Sequence, residues 1–159
     1  MQKELTPLKP EDVKLIVIHC SATRSDRPYS VEDLNATGIA KFGQPSYHWY
    51  VLRNGNIIPI LPESVRGAHA RGYNRCSLGI CYEGGISPEG KNTDTRTPQQ
   101  KASLYELLKS LHRDYPQARI IGHRDLPHVH KDCPCFSPSS EYSQLNGNQK
   151  LGKADFLSV

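Results

Sequence analysis

Long hydrophobic runs are missing from this chain of 159 residues. The longest, Leu15 to Ile18 and Ile57 to Leu61 with its internal Pro59, fall far short of the roughly 18 residues that a bilayer-spanning helix needs. No membrane insertion is therefore expected. The segment Met1 to Pro7 also lacks the apolar stretch of about 7–15 residues that marks an export signal. The expectation is a cytoplasmic protein as synthesised, which would need release by another route to act outside. Clustered charge of one sign is missing too. Twenty Lys and Arg face sixteen Asp and Glu, a net of +4, with no basic run longer than two residues. The electrostatic footprint of a dedicated nucleic-acid binder is therefore absent, and only mild attraction to an acidic polymer remains. Cysteine is sparse and odd in number: Cys20, Cys76, Cys81, Cys133 and Cys135. An odd count without an export signal argues against a disulfide framework and leaves the thiols for metal binding or reactivity.

What is present reads as one folded domain. An apolar content of 36% with 23% charged residues is ordinary for a globular chain, and the length leaves no room for a second independent domain. The domain is expected to span residues 1–146, with a polar, frayed tail over 147–159 and a monomeric state. Lys14 to Cys20 is a β-branched apolar run, a strand buried on both faces that ends in His19. Ser30 with Glu32 and Asp33 starts a helix that Gly43 or Pro45 ends. Ser46 to Arg53 and Asn56 to Leu61 read as a hairpin around Asn54-Gly55 in a type I′ turn, with Pro59 confining its strand to an edge. Ser77 to Tyr82 is another strand. Thr97, Pro98 and Gln100 form a capping box before the stripe Leu104, Leu107, Leu108 and Leu111. Ala118 to Gly122 is a buried strand with His123 at its tip, and a short helix follows Ser137-Pro138 as far as about Leu145. The fold class is α/β, a single domain with a central mixed sheet flanked by helices.

His19 and His123 thus stand at the C-terminal ends of separate buried strands, where α/β sheets place their ligand sites, and Cys133 follows in a Cys-Pro-Cys loop. Two imidazoles and one thiolate suit an open, catalytic zinc site. Spacing alone favours the plainer reading of satisfied strand-end histidines beside a small buried thiol, because no short metal-ligand motif is present.

Five blocks do more: Ile18-His-Cys-Ser-Ala-Thr23, Ser46-Tyr-His-Trp49, His69-Ala-Arg-Gly-Tyr-Asn74, Ser77-Leu-Gly-Ile-Cys-Tyr-Glu-Gly-Gly85 and Lys131-Asp-Cys-Pro134. In order and spacing they resemble the zinc-dependent N-acetylmuramoyl-L-alanine amidases of the phage-lysozyme type, within the type 2 amidase and peptidoglycan recognition superfamily. The resemblance implies an amidase and peptidoglycan-recognition-like fold that holds one Zn2+ through His19, His123 and Cys133. It further implies Tyr47 and Lys131 as the catalytic pair. His69, Arg71, Tyr73 and Asn74 match a loop that borders the substrate groove. The implied reaction is hydrolysis of the amide between N-acetylmuramic acid and the L-alanine of peptidoglycan, with peptidoglycan or a muropeptide as partner.

Departures from the family pattern are also visible. Cys81 stands where other branches place an acid/base glutamate, which leaves Glu83 as a stand-in, and Asn35 to Lys41 lacks a Trp-His pair. His48 is expected to pack beside or support the zinc site, Cys20 and Cys81 to be packed thiols, Cys135 to compete for metal or form a disulfide under oxidation, and His128 and His130, which could do likewise, to be exposed on the loop by default. Two other classes fit the same blocks: a non-catalytic peptidoglycan-binding domain, against which Cys133 argues, and a regulatory zinc protein that inhibits a partner enzyme.

Overall fold

The computed structural model describes residues 4–147; the tail from residue 148 onward lies outside the described residues. A five-stranded sheet is built from β1 (Leu15–Cys20), β3 (Trp49–Val51), β4 (Ile57–Pro59), β5 (Ser77–Tyr82) and β7 (Arg119–Gly122), in the order β4-β3-β5-β1-β7. A two-stranded ribbon pairs β2 (Thr23–Arg24) with β6 (Gly85–Ile86). The β1 strand runs parallel to both β5 and β7, β3 runs parallel to β5, and β4 is antiparallel to β3. The mixed sheet expected from the sequence is therefore present. All six residues of β1 and of β5 are buried, as continuous apolar runs in a covered parallel sheet require.

Helix α2 (Pro98–Asp114) covers one face. Its Leu104, Leu108 and Leu111 pack with Ile16, Ile18, Leu78, Ile80 and Ile120, each buried side chain contributing about 1.5–3 kcal/mol. The capping box forms as the sequence indicates: Thr97 Oγ1 accepts from the Gln100 N–H, and Gln100 Oε1 accepts from the Thr97 N–H. Gln100 is fully buried because its Nε2 also donates to the Val51 and Glu83 carbonyls, which ties the helix start to the sheet. On the other face α1 (Val31–Phe42) begins at a Ser30–Asp33 capping box, ends at left-handed Gly43 and packs Leu34 with Tyr50 and Cys81.

Three elements differ from expectation. The hairpin strands are shorter, and their turn is not type I′. Among the loop residues only Gly55 has positive φ, the Gly55 N–H donates to the Leu52 carbonyl and the Leu52 N–H donates to the Asn56 carbonyl. This is a type I turn closed by a left-handed glycine, the three-residue hairpin connection. Asn54 Oδ1 accepts from the Asn56 N–H, so Asn54 is used as a side-chain acceptor and not for its tolerance of positive φ. Pro59 does lie on the edge strand. Tyr47 and His48 precede β3 instead of lying in it. The last helix, α3 (Pro138–Glu141), is a single turn. The turns after it carry Asn146 to Ile120, where its side chain both donates to the carbonyl and accepts from the N–H, closing the exposed edge of β7.

Candidate metal centre

The sheet places the site by register. Ile18 pairs with Gly122, so the next residues, His19 and His123, leave adjacent parallel strands side by side, and their rings lie 4.6 Å apart. Cys81 is the register partner of His19 on the opposite side. After β7 the chain makes one turn of 3-10 helix over His123–Asp125, with the Gly122 N–H donating to Asp125 Oδ2. The following loop returns with the Arg124 N–H donating to the Cys133 carbonyl. Cys133 is thereby brought over β1, where the Cys20 N–H donates to its Sγ at 3.3 Å.

One potential ligand atom from each of His19, His123 and Cys133 lies within 4.8 Å of the others. Cys133 and His123 are half-buried, and His19 is buried. Two imidazole nitrogens and one sulfur at this spacing fit a tetrahedral zinc with one position left open. Burial, followed by the neighbouring His69, His123 and Lys131, holds the His19 ring well below the usual imidazole range. Burial, then Lys131, pushes His123 down to about 4. Neutral imidazoles are the form that binds metal.

Around this cluster lies a cavity of about 240 Å³ lined by Tyr47, Lys131 and Lys41 as well as the three candidate ligands. The Tyr47 ring stands 5.1 Å from that of His19. Burial foremost, with the thiols of Cys81, Cys133 and Cys20, pushes the Tyr47 phenol well above its usual range, so it remains a hydrogen-bond donor. Lys131 is exposed and lines both this cavity and an adjoining groove of about 620 Å³. Among the described residues no carboxylate lines either space, whereas Lys41, Arg71 and Lys131 do.

The His69 loop is more structural than its sequence suggests. His69 is 8% exposed and bonds His19 Nε2 through its Nδ1 at 2.8 Å. Asn74 lines the groove, but its Oδ1 accepts from the His69 and Ala70 N–H groups, and Tyr73 packs against Ala70, Cys76 and Leu126. Arg71 is exposed in the groove wall. His48 lies one layer deeper: its Nε2 donates to the Val65 carbonyl and its Nδ1 accepts from the Gly79 N–H.

Glu83 is not a stand-in acid at this site. Its carboxylate accepts from the Tyr29 and Arg53 N–H groups and lines a separate cavity with Arg27 and Asn54, because β5 ends at Tyr82 and the chain turns away. Cys135 donates to the Gly85 carbonyl at 3.4 Å, outside the ligand cluster, and His128 and His130 are exposed. All five cysteines are free.

Sequence reasoning missed Phe42, Ser77 and Gly79. Phe42 is 48% exposed where the two cavities meet. Ser77 Oγ touches His69 Nε2 at 3.2 Å. A Cβ on Gly79 would lie 2.7 Å from the His69 ring. The available signal was a glycine inside an apolar strand, the mark of a close approach.

The chain is similar to known amidases and endolysins. The family model described as N-acetylmuramoyl-L-alanine amidase matches residues 9–136. The endolysin of Enterobacteria phage K11 is 32% identical over 132 residues, covering 80% of this chain and 84% of the relative. The endolysin of Escherichia phage T7 is 34% identical over 130 residues, covering 79% and 83%. Among solved structures, the endolysin N-acetylmuramoyl-L-alanine amidase LysCS from Clostridium intestinale URNW superposes with a TM-score of 0.71 at 27% identity, covering 94% of each chain.

Proposed function

The chain belongs to the N-acetylmuramoyl-L-alanine amidase family, and from that premise we propose that it is a zinc-dependent hydrolase of the amide joining N-acetylmuramic acid to the L-alanine of the peptidoglycan stem. It is an amidase enzyme by family. The observation that carries the zinc reading is the convergence of His19, His123 and Cys133 at one end of the parallel strands, with ligand atoms within 4.8 Å.

His19, His123 and Cys133 would hold the ion. When bound, zinc supplies a Lewis acid for the scissile carbonyl and a water acidic enough to ionise near neutral pH. The chain's own groups do the rest. The Tyr47 phenol, kept protonated by burial, donates to the oxygen on which negative charge develops, and the Lys131 ammonium stabilises the same charge from the groove side. Lys131 or Tyr47 also relays a proton to the departing amine. The substrate class fits the charge of the cleft. A stem peptide carries carboxylates, and a groove walled by Arg71, Lys131 and Lys41 without a lining carboxylate attracts such a ligand.

The deciding experiment is mass spectrometry of purified muropeptides incubated with protein of measured zinc content, beside a chelated control and Cys133→Ser. The expected product is a free stem peptide beginning with L-alanine, lost in both controls. Intact muropeptides in the presence of stoichiometric zinc would favour recognition without hydrolysis and overturn the proposal.

A further inference from the structure

Resting on the zinc-amidase reading above, we propose that His69 is a positioning residue. With Ser77 it forms a hydrogen-bonded chain, ended by the Tyr73 carbonyl, that fixes His19 in the one tautomer whose Nδ1 lone pair is free for the metal.

At the far end of this hydrogen-bonded chain, chemistry leaves no choice. A carbonyl oxygen can only accept, so the Ser77 hydroxyl hydrogen is committed to the Tyr73 carbonyl at 2.7 Å. What Ser77 Oγ then offers to His69 Nε2, 3.2 Å away, is a lone pair. His69 Nε2 is therefore the donor, and in a neutral ring its Nδ1 is bare. His19 Nε2 faces that bare nitrogen at 2.8 Å and must itself carry the hydrogen. The His19 lone pair is left on Nδ1. Each step follows from the one before it, and the whole sequence is set by a backbone carbonyl that cannot change its role.

The packing around His69 is close on two sides. A Cβ on Gly79 would lie 2.7 Å from the ring, and one on Gly67 would lie 2.8 Å from His69 Cδ2. Two glycines thus form the slot that admits an imidazole directly behind β1. The His48 ring stands edge-on to it, 6.2 Å between centroids, and is itself held at both nitrogens by the Gly79 N–H and the Val65 carbonyl. Asn74 Oδ1 fixes the main chain of His69 and Ala70. A ligand held this way loses little orientational freedom when the metal binds, which is why partners behind a metal-ligating histidine affect affinity.

The test uses full-length protein and two readouts besides activity: zinc affinity by chelator competition, and long-range 1H–15N spectra of the metal-free protein, which report the protonated nitrogen of each histidine. Wild-type His19 is expected to carry its hydrogen on Nε2. Ser77→Ala removes one oxygen and keeps the shape of the site; it is expected to mix the His19 tautomers and weaken zinc binding about 10-fold, and His69→Ala to weaken it about 10- to 100-fold. Lys109→Ala, on the exposed side of α2, is expected to leave both readouts unchanged. If His69→Ala does not fold, Ser77→Ala decides alone. The proposal is overturned if wild-type His19 is protonated on Nδ1, or if folded Ser77→Ala matches the wild type in tautomer and zinc affinity. Wild-type protein that binds no zinc overturns the zinc reading as well, whereas tight wild-type binding matched by the variants overturns this inference only.

Discussion

The Cys20 N–H donates to Cys133 Sγ at 3.3 Å, so the residue that follows one candidate ligand in β1 holds the sulfur of another from a distant loop. This backbone N–H fixes where the sulfur sits relative to the two imidazoles. The contact also fixes the loop over the strand end, with the Tyr82 hydroxyl donating to the Pro134 carbonyl at 2.6 Å as a second tie.

Cys133→Ser is accordingly expected to abolish zinc retention and turnover together while leaving the sheet intact. The three candidate ligands leave one coordination position open, so this is a site added to a finished core and not the core itself. Chelation should therefore remove activity without cooperative unfolding. Metal analysis after gel filtration, with far-ultraviolet circular dichroism on the same fractions, checks both. Loss of secondary structure on chelation would mean the metal is structural.

Lys131→Ala and Tyr47→Phe should each keep zinc at one per chain and lose about 10²–10³-fold in turnover, the usual effect of removing one donor from a developing oxyanion. Steady-state kinetics on muropeptides at fixed zinc content reads this directly. Turnover close to wild type in either variant removes that residue from the mechanism.

Stability of the metal-free protein is expected to decrease as pH is lowered through the range where histidine titrates. Burial holds His19, His69 and His123 below the ordinary imidazole value. Between 6.5 and about 4 the unfolded chain therefore binds protons that folded His123 does not, and stability rises with pH wherever the unfolded state binds more protons. The contribution is complete above 6.5 and is lost as pH falls toward about 4. Glu141, held below its usual range by the Arg96 hydrogen bond, contributes above 4.5 and loses its share at lower pH than the histidines. Urea midpoints of chelated protein at pH 7.5 and pH 5 test the sign, and equal midpoints would refute it.

Arg96 ties three segments together outside the site. Its guanidinium is 1% exposed, pairs with Asp94 and Glu141 at 2.9 and 2.8 Å, and stacks 3.3 Å over the Phe136 ring. It thereby joins the start of α2 to α3 and to the end of the Cys133 loop. The carboxylates that Arg96→Leu would strand are part exposed and can rehydrate, so the expected cost is about 2–3 kcal/mol, nearer that of charged hydrogen bonds than that of a fully buried pair. Denaturant titration gives the cost. Zinc affinity should fall alongside it, since Phe136 closes the loop that carries Cys133.

The sequence by itself determined the elements whose signals are local. The capping boxes at Ser30 and Thr97, the buried run of β1, the leucine stripe of α2 and the edge position of Pro59 all follow from hydrogen-bond supply, periodicity or a missing N–H within a few residues. The motif blocks also named the family and the three candidate ligands. Only the tertiary structure decided what depends on partners distant in the chain. It turned Glu83 away to cap loop N–H groups, used Asn54 as an acceptor in a type I turn, and buried His69 behind His19 in a slot left by Gly67 and Gly79. A polar side chain has the same appearance in sequence whether it faces a groove or completes a hydrogen-bonded chain. Which of these it does is set by the acceptors that folding brings within 3 Å or so of it, because a buried donor or acceptor left unpaired costs about 1–3 kcal/mol.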